Sequence, residues 1–177
     1  MKARNFAFSA GFMALAVLAG CSHLPGAKPA AQAMIESSSG SQVRGTVSFT
    51  PMGDKLLVEA DLSGLTPGEH GFHVHEGGDC SAPDASSARG HFNPAGMMHG
   101  HHQQYHAQRH AGDLPNLMAD ANGRARYRAE VAGLTADIGP LGIVGRSLVV
   151  HADADDYRSQ PAGNSGRRIA CGVIKTP

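Results

Sequence analysis

Residues 43–62 read VRGTVSFTPMGDKLLVEADL, and this stretch decides the fold class. Apolar and polar residues alternate imperfectly over Val43–Thr50 and more regularly over Leu56–Leu62. A period of two is typical of a β-strand that buries one of its faces. The intervening Pro51–Asp54 consists largely of turn-forming residues, so the stretch predicts a β-hairpin.

Short strands recur further along the chain. They are predicted at Gly71–Glu76, Arg124–Val131, Ser147–His151 and Ile169–Lys175. No segment between them has a clear amphipathic helical period, and 23 glycines in 177 residues favour a fold with many turns. The sequence therefore predicts an all-β domain with two long loops, at about 76–114 and 152–168. Loops of this length usually carry function.

The first twenty residues have the composition of an export signal. Lys2 and Arg4 supply a positive start, and Phe6–Leu18 form an apolar segment too short to span a bilayer comfortably. Without residues 1–20 the 15 basic residues fall to 13, against 15 acidic ones. This near balance argues against a nucleic-acid-binding protein.

The signal ends in Leu18-Ala19-Gly20-Cys21, which resembles the lipobox of bacterial lipoproteins. The resemblance implies cleavage before Cys21 and acylation of that residue. Because Ser22 follows, it also implies an anchor in the outer membrane, with the domain in the periplasm. Several acyl chains hold a protein at a membrane stably, and no other membrane contact is predicted.

An alternative N-terminal processing is ordinary secretion, with cleavage after the small residues of Ala31-Gln32-Ala33. In either case residues 21–41 are rich in Ala, Ser, Pro and Gly and are predicted to be a flexible tether. The folded domain is then expected to occupy residues 42–177.

The chain has three cysteines. If Cys21 carries lipid, Cys80 and Cys171 remain as one pair in an oxidising compartment, which predicts a disulfide. Such a bridge closes a loop of about 90 residues, for which chain entropy gives roughly 4–5 kcal/mol as an upper figure. Two buried free thiols are the alternative.

Eleven histidines are the outlying feature of the composition, and most lie between His70 and His110. His73 and His75 are two apart in a predicted strand, so their rings project from one face, roughly 6–7 Å apart. His151 ends another apolar strand, and the segment up to Asp113 adds further imidazoles and a carboxylate. Without a thiolate this set suits copper, zinc or iron, and the order of metal affinities favours copper.

Five segments together resemble the copper–zinc superoxide dismutase family. They are Gly71–Glu76 (GFHVHE), Gly90–Pro94 (GHFNP), Arg109–Leu114 (RHAGDL), Val149–Asp156 (VVHADADD) and Gly166–Gly172 (GRRIACG). They occur in the family's order, and the resemblance covers nearly all of residues 42–175. It implies an eight-stranded Greek-key β-barrel, a sandwich-like architecture, with long metal-binding and electrostatic loops.

The resemblance also implies the metal ligands. Copper would be bound by His73, His75, His91 and His151. Zinc would be bound by His91, His99, His110 and Asp113. His91 would therefore bridge the two metals. Three imidazoles and a carboxylate with no open position are typical of a structural zinc site.

Supporting and catalytic roles follow from the same resemblance. Asp155 would link a copper-bound histidine to a zinc-bound one, and Cys80 and Cys171 would form the family's disulfide. Arg168 would stand beside the copper and attract the superoxide anion. His91 would take part in catalysis through a ring nitrogen that gains and releases a proton.

Several histidines are less tightly assigned. His99 fits the middle zinc position by its spacing, and His101 is the alternative. His101, His102 and His106 are interpreted as part of a solvated loop, with metal capture as a second hypothesis. His70 is expected to make a supporting hydrogen bond.

The predicted activity is dismutation of superoxide to dioxygen and hydrogen peroxide, protecting the cell envelope. Two non-enzymatic alternatives are a copper-binding, chaperone-like domain and a zinc-stapled envelope protein. The first is expected to lack a copper ligand or Arg168, and the second has no need of His151 together with Arg168. The sequence therefore favours the enzyme, while a monomer and a homodimer both stay open.

Overall fold

The computed structural model describes Met1, residues 27–105 and residues 108–177. Residues 2–20 of the predicted signal peptide, Cys21 and His106 lie outside the described residues. No helix within the described ranges is long and apolar enough to cross a bilayer.

Among the described residues the chain forms nine β-strands and one 3₁₀ turn at Ser86–Ala88. The strands are β1 Ala31–Ser37, β2 Arg44–Met52, β3 Lys55–Ser63, β4 Gly68–His70, β5 Phe72–His75, β6 Leu117–Ala119, β7 Ala125–Ala132, β8 Ser147–His151 and β9 Arg168–Lys175. Seven of them form an antiparallel sheet in the order β5-β8-β9-β1-β2-β3-β7, and β4 pairs with β6. The predicted all-β barrel is confirmed. The described residues form nine strands where eight were predicted, and two of the nine, β4 and β6, are only three residues long.

The predicted hairpin is present as β2 and β3, whose register runs from Arg44 opposite Ser63 to Met52 opposite Lys55. Gly45 interrupts the alternation of β2 for a steric reason. A Cβ atom at this position would lie 2.1 Å from the carbonyl oxygen of Asp61. The close approach of the two strands therefore requires glycine here.

The tether prediction is wrong for residues 31–37, because these residues form β1, which lies in the middle of the large sheet between β2 and β9. Ala31, Ala33 and Ile35 are buried in the core. Alternate residues of β1 point into the core, and the same small alanines give the segment the composition of a linker. The alternative cleavage site at residues 31–33 lies inside this strand, so cleavage there would remove part of the barrel.

The strands that carry the site are buried on both faces. All four residues of β5 and all five residues of β8 are buried. Phe72 and Val74 belong to the core cluster, whereas His73 and His75 point the other way. Loop residues cover this second face: the predicted loops are confirmed, since no described strand lies between β5 and β6 or between β8 and β9.

Candidate metal centre

Cys80 and Cys171 form a disulfide, with their Cα atoms 5.8 Å apart. The disulfide prediction is confirmed, and the alternative of two free thiols is wrong. Cys171 belongs to a small buried cluster with Ala85, Ala88 and Val149. The bridge therefore holds the loop after β5 against strands β8 and β9.

Four histidines form a first candidate metal group. It consists of His73, His75, His91 and His151. Each offers one ring nitrogen, these nitrogens lie within 4.8 Å of one another, and all four residues are buried. Strand alternation brings His73 and His75 together, and pairing of β5 with β8 brings His151 beside them.

Hydrogen bonds orient three of these rings through the nitrogen that faces away from the group. His73 Nε2 donates to Asp155 Oδ2 at 2.8 Å, and His75 Nδ1 donates to the Arg89 carbonyl at 2.9 Å. His151 Nδ1 lies 3.2 Å from the Gly166 carbonyl and donates to it. Because these oxygens only accept, the opposite nitrogen of each ring is left with a free lone pair.

The inward nitrogens of the group are His73 Nδ1, His75 Nε2, His91 Nε2 and His151 Nε2. They are buried, and none has a hydrogen-bond partner. Buried polar atoms without a partner are uncommon in proteins. Burial lowers the pKa of all four rings, that of His91 to about 4, so they are neutral and able to bind a metal. A metal fits this group, and an all-imidazole set suits copper.

A second candidate group consists of His91, His99, His110 and Asp113. Asp113 Oδ1 lies 2.9 Å from His91 Nδ1, 3.0 Å from His99 Nδ1 and 3.3 Å from His110 Nδ1. A tetrahedral zinc with ligand distances near 2.0–2.1 Å separates its ligand atoms by about 3.3 Å. These spacings, and three imidazoles with one carboxylate, fit a closed zinc site.

His91 belongs to both groups, since its Nε2 faces the first and its Nδ1 faces the second. A second link is the buried carboxylate of Asp155. Its Oδ2 accepts from His73 Nε2 at 2.8 Å, and its Oδ1 accepts from His99 Nε2 at 2.9 Å. The predicted linking role of Asp155 therefore corresponds to its position in the structure.

The charge of Asp155 is stabilised by these contacts. Burial by itself raises the pKa of Asp155, but the hydrogen bonds with His73 and His99 outweigh it and hold the pKa below its ordinary value. His99 shows the reverse balance: burial lowers its pKa, while hydrogen bonds with Asp113 and Asp155 raise it to about 9. A metal at His99 Nδ1 would take the place of that ring's extra proton.

The structure places His99 in the second group and His101 outside it. The His101 ring stacks on His102, with ring centroids 4.2 Å apart, and contacts Tyr157 at 4.5 Å. Its Nδ1 accepts a hydrogen bond from the Gln103 backbone. The two ring nitrogens of His70 lie 2.8 Å from the carbonyls of His151 and Thr66, in line with the supporting role predicted for it.

Arg168 begins β9 and is half-buried beside the first group. Its Nη1 donates to the Ala85 carbonyl at 2.8 Å, and its Nη2 donates to the Arg89 carbonyl at 2.6 Å. The Arg89 carbonyl also accepts from His75, so one oxygen holds both a histidine of the group and the guanidinium. The predicted proximity of Arg168 to the copper histidines agrees with this geometry.

Arg109 is a supporting residue to which the sequence assigned no role. Its side chain is buried, and its Nη1 donates to the carbonyls of His110 at 2.7 Å and Asp113 at 3.0 Å. Its Nη2 reaches the Ala132 carbonyl at the end of β7. The guanidinium therefore ties the backbone of two residues of the second group to the barrel. An arginine in a polar loop carries no sequence signal of burial.

Known proteins resemble this chain over most of its length. The family model described as copper/zinc superoxide dismutase (SODC) matches residues 43–174. A superoxide dismutase [Cu-Zn] of Deinococcus radiodurans is 42% identical over 144 residues, which cover 76% of this chain and 78% of the relative. A copper chaperone for superoxide dismutase of Rattus norvegicus is 43% identical over 152 residues, 82% of this chain but 52% of that protein.

A solved structure of the clock protein EA4 has the same fold. It superposes with a TM-score of 0.74 at 38% identity and covers 88% of this chain and 99% of its own. The family match, the sequence relatives and the two histidine groups agree with one another. The chain belongs to the copper/zinc superoxide dismutase family.

Proposed function

We propose that the protein dismutes superoxide, converting two superoxide anions and two protons into dioxygen and hydrogen peroxide. The observation that carries the proposal is the first group: four buried imidazole nitrogens without partners, beside a guanidinium held by two carbonyls. His73, His75, His91 and His151 would hold copper. His91, His99, His110 and Asp113 would hold zinc.

One-electron oxidation and reduction is the chemistry that copper supplies when bound, whereas zinc has no redox chemistry. The residues of the chain supply the rest. Arg168 attracts and orients the substrate anion, and fields of this kind raise association rates by about 10–1000-fold, with this enzyme class among the known examples. His91 Nε2 can hold a proton for the peroxide product, while Asp113 and Asp155 fix the surrounding rings.

A copper-delivering function is the second candidate, because one relative is a copper chaperone for superoxide dismutase. Two features favour the enzyme. All four histidines of the first group are present, and Arg168 is held next to His75 by a shared carbonyl. A protein that only carries copper has no need of a cation that attracts small anions.

Replacing Arg168 with alanine is expected to slow dismutation by about tenfold or more, because it removes the charge that attracts the anion. Copper content should not change, since Arg168 is not among the metal-binding groups. The measurement is superoxide decay with copper- and zinc-loaded protein, with copper quantified in the same samples. Arg126→Ala, on the exposed face of β7, is the matched control.

Two outcomes of this assay contradict the proposal. Fully metallated wild-type protein without dismutase activity would remove the enzyme assignment. Equal activity of the wild type and Arg168→Ala would remove the role of Arg168 while leaving the activity in place.

We also propose that the domain lies in the periplasm, anchored to the outer membrane through Cys21, and protects the envelope from superoxide. The lipobox-like segment supports this proposal, and so does the disulfide, which is typical of proteins in an oxidising compartment. The alternative cleavage site lies inside β1, where cleavage would remove Ala31 and Ala33 from the core.

Cys21→Ser is expected to move the protein from the membrane fraction to the soluble fraction, because it removes the acylated thiol. Cells fed radiolabelled palmitate provide the measurement, and only the wild type should carry the label. An unlabelled wild-type protein in the soluble fraction would contradict the anchor without affecting the enzyme assignment.

A further inference from the structure

Arg89 has a backbone conformation that side chains rarely adopt. Its φ is 64° and its ψ is −149°, close to a region occupied almost only by glycine. It directly follows the 3₁₀ turn at Ser86–Ala88, and its backbone N–H donates to the Ser86 carbonyl. A strained residue of this kind persists where the surrounding structure requires it, and such residues cluster at functional sites.

The backbone carbonyl of Arg89 accepts two hydrogen bonds at the first group. The unusual conformation points its carbonyl at two donors, His75 Nδ1 at 2.9 Å and Arg168 Nη2 at 2.6 Å. Glycine would present the same carbonyl without strain. The backbone therefore explains the conformation, but it does not explain why an arginine side chain occupies the position.

The side chain of Arg89 makes no stabilising contact with the described part of the protein. The residue is exposed, and its guanidinium has no hydrogen-bond or ion-pair partner within residues 27–105 and 108–177. The cost of having arginine instead of glycine at this position is thus not offset by a described contact of the side chain. A charged side chain that faces solvent at a strained position indicates an interaction with a dissolved ion or molecule.

The position of Arg89 beside Arg168 indicates that the dissolved species is an anion. Its carbonyl touches the Arg168 guanidinium, so its Cα lies within roughly 5 Å of that cation. The Arg89 side chain therefore starts from a backbone atom that lies well within the screening length around Arg168, about 8–10 Å at ordinary ionic strength. Asp84 opposes Arg168, because its negative charge raises the pKa of Arg168 that burial lowers. A second cation in this region would offset this acidic neighbour.

We propose that Arg89 is a second steering residue, whose exposed guanidinium raises the rate at which the superoxide anion reaches the first group. The inference rests on the proposed dismutase function and extends it. The strained backbone of Arg89 is retained because this position must supply both a carbonyl that holds Arg168 and a positive charge.

Three substitutions separate charge from backbone, each made in the full-length, copper- and zinc-loaded protein. Arg89→Gly and Arg89→Gln are expected to lower kcat/KM by about two- to fivefold at low ionic strength, and the difference should vanish at high salt. Arg89→Lys should keep the wild-type rate. Arg126→Gln removes the same net charge from an exposed position on β7 and should leave the rate unchanged.

Two further readouts do not depend on turnover. Binding of azide, a small anion, should weaken by a similar factor in Arg89→Gly and Arg89→Gln. The unfolding midpoint of the metal-free protein should rise in Arg89→Gly, where glycine relieves the strain, and should not change in Arg89→Gln, where the strain persists.

The outcomes are distinct from those of the dismutase proposal. An inactive wild type overturns the dismutase function and this inference with it. An active wild type with an unchanged salt dependence in Arg89→Gly overturns the inference alone. A loss of rate that is equal at all ionic strengths also overturns the inference, because Arg89 would then act through its backbone. A lower unfolding midpoint in Arg89→Gly overturns it as well.

Discussion

Replacing Asp155 with alanine is expected to weaken the binding of both metals by about 10–100-fold each, the usual effect of losing a carboxylate that orients metal-binding histidines. The reason is that Asp155 accepts from His73 on one side and from His99 on the other. Without it, each ring loses the hydrogen bond that fixes its tautomer and orientation. The measurement is competition with chelators for zinc and copper, metal by metal.

Asp156→Ala is the matched control for this experiment. Asp156 is the neighbouring carboxylate, is exposed, and accepts hydrogen bonds from Arg158 and Ser159 in the same loop. Loosening the loop alone should therefore leave both affinities within a small factor of the wild type. If Asp155→Ala weakens the binding of only one metal, or of neither, the link between the two groups is not what orients the rings.

Removing the disulfide, with Cys80→Ser and Cys171→Ser together, is expected to lower the free energy of unfolding by about 4–5 kcal/mol at most. The bridge joins residues 91 apart, so its loss restores much conformational freedom to the unfolded chain. Urea unfolding of the metal-free proteins measures the effect without the contribution of bound metal. An unchanged midpoint would mean that the bridge contributes nothing to stability.

The disulfide has a local consequence as well. It holds the segment that carries Ala85 and Arg89, whose carbonyls bind Arg168. The double-serine variant is therefore expected to lose more dismutase activity than its metal content accounts for. Restoring the metals fully and finding full activity would show that Arg168 is held without the bridge.

Strands with a clear period were predicted within a few residues of their observed ends. The segments Leu56–Leu62, Arg124–Val131 and Ile169–Lys175 correspond to β3, β7 and β9. Three-residue strands such as β4 contain too few residues to show a period. The strand β1 was missed because its core residues are two alanines and one isoleucine, which contrast weakly with their polar neighbours.

The residues of the two metal groups were identified from motifs, and the structure brings all of them together. Spacing favoured His99 and left His101, two residues further on, as the alternative. The fold decides it, because His99 Nδ1 lies 3.0 Å from Asp113, whereas His101 stacks on His102 and contacts Tyr157. Arg109 and Arg89 acquired roles only from burial and backbone conformation.

By itself the sequence determined the all-β class, the hairpin at residues 43–62, the cysteine pair and the set of candidate metal ligands. Only the tertiary structure decided that β1 is part of the barrel, that Asp155 joins His73 to His99, and that one carbonyl holds His75 and Arg168. The physical reason is the distance along the chain between the residues that interact. Side-chain periodicity is a property of neighbouring residues, whereas the contact of Asp155 with His73 joins residues 82 apart and exists only once the strands have paired.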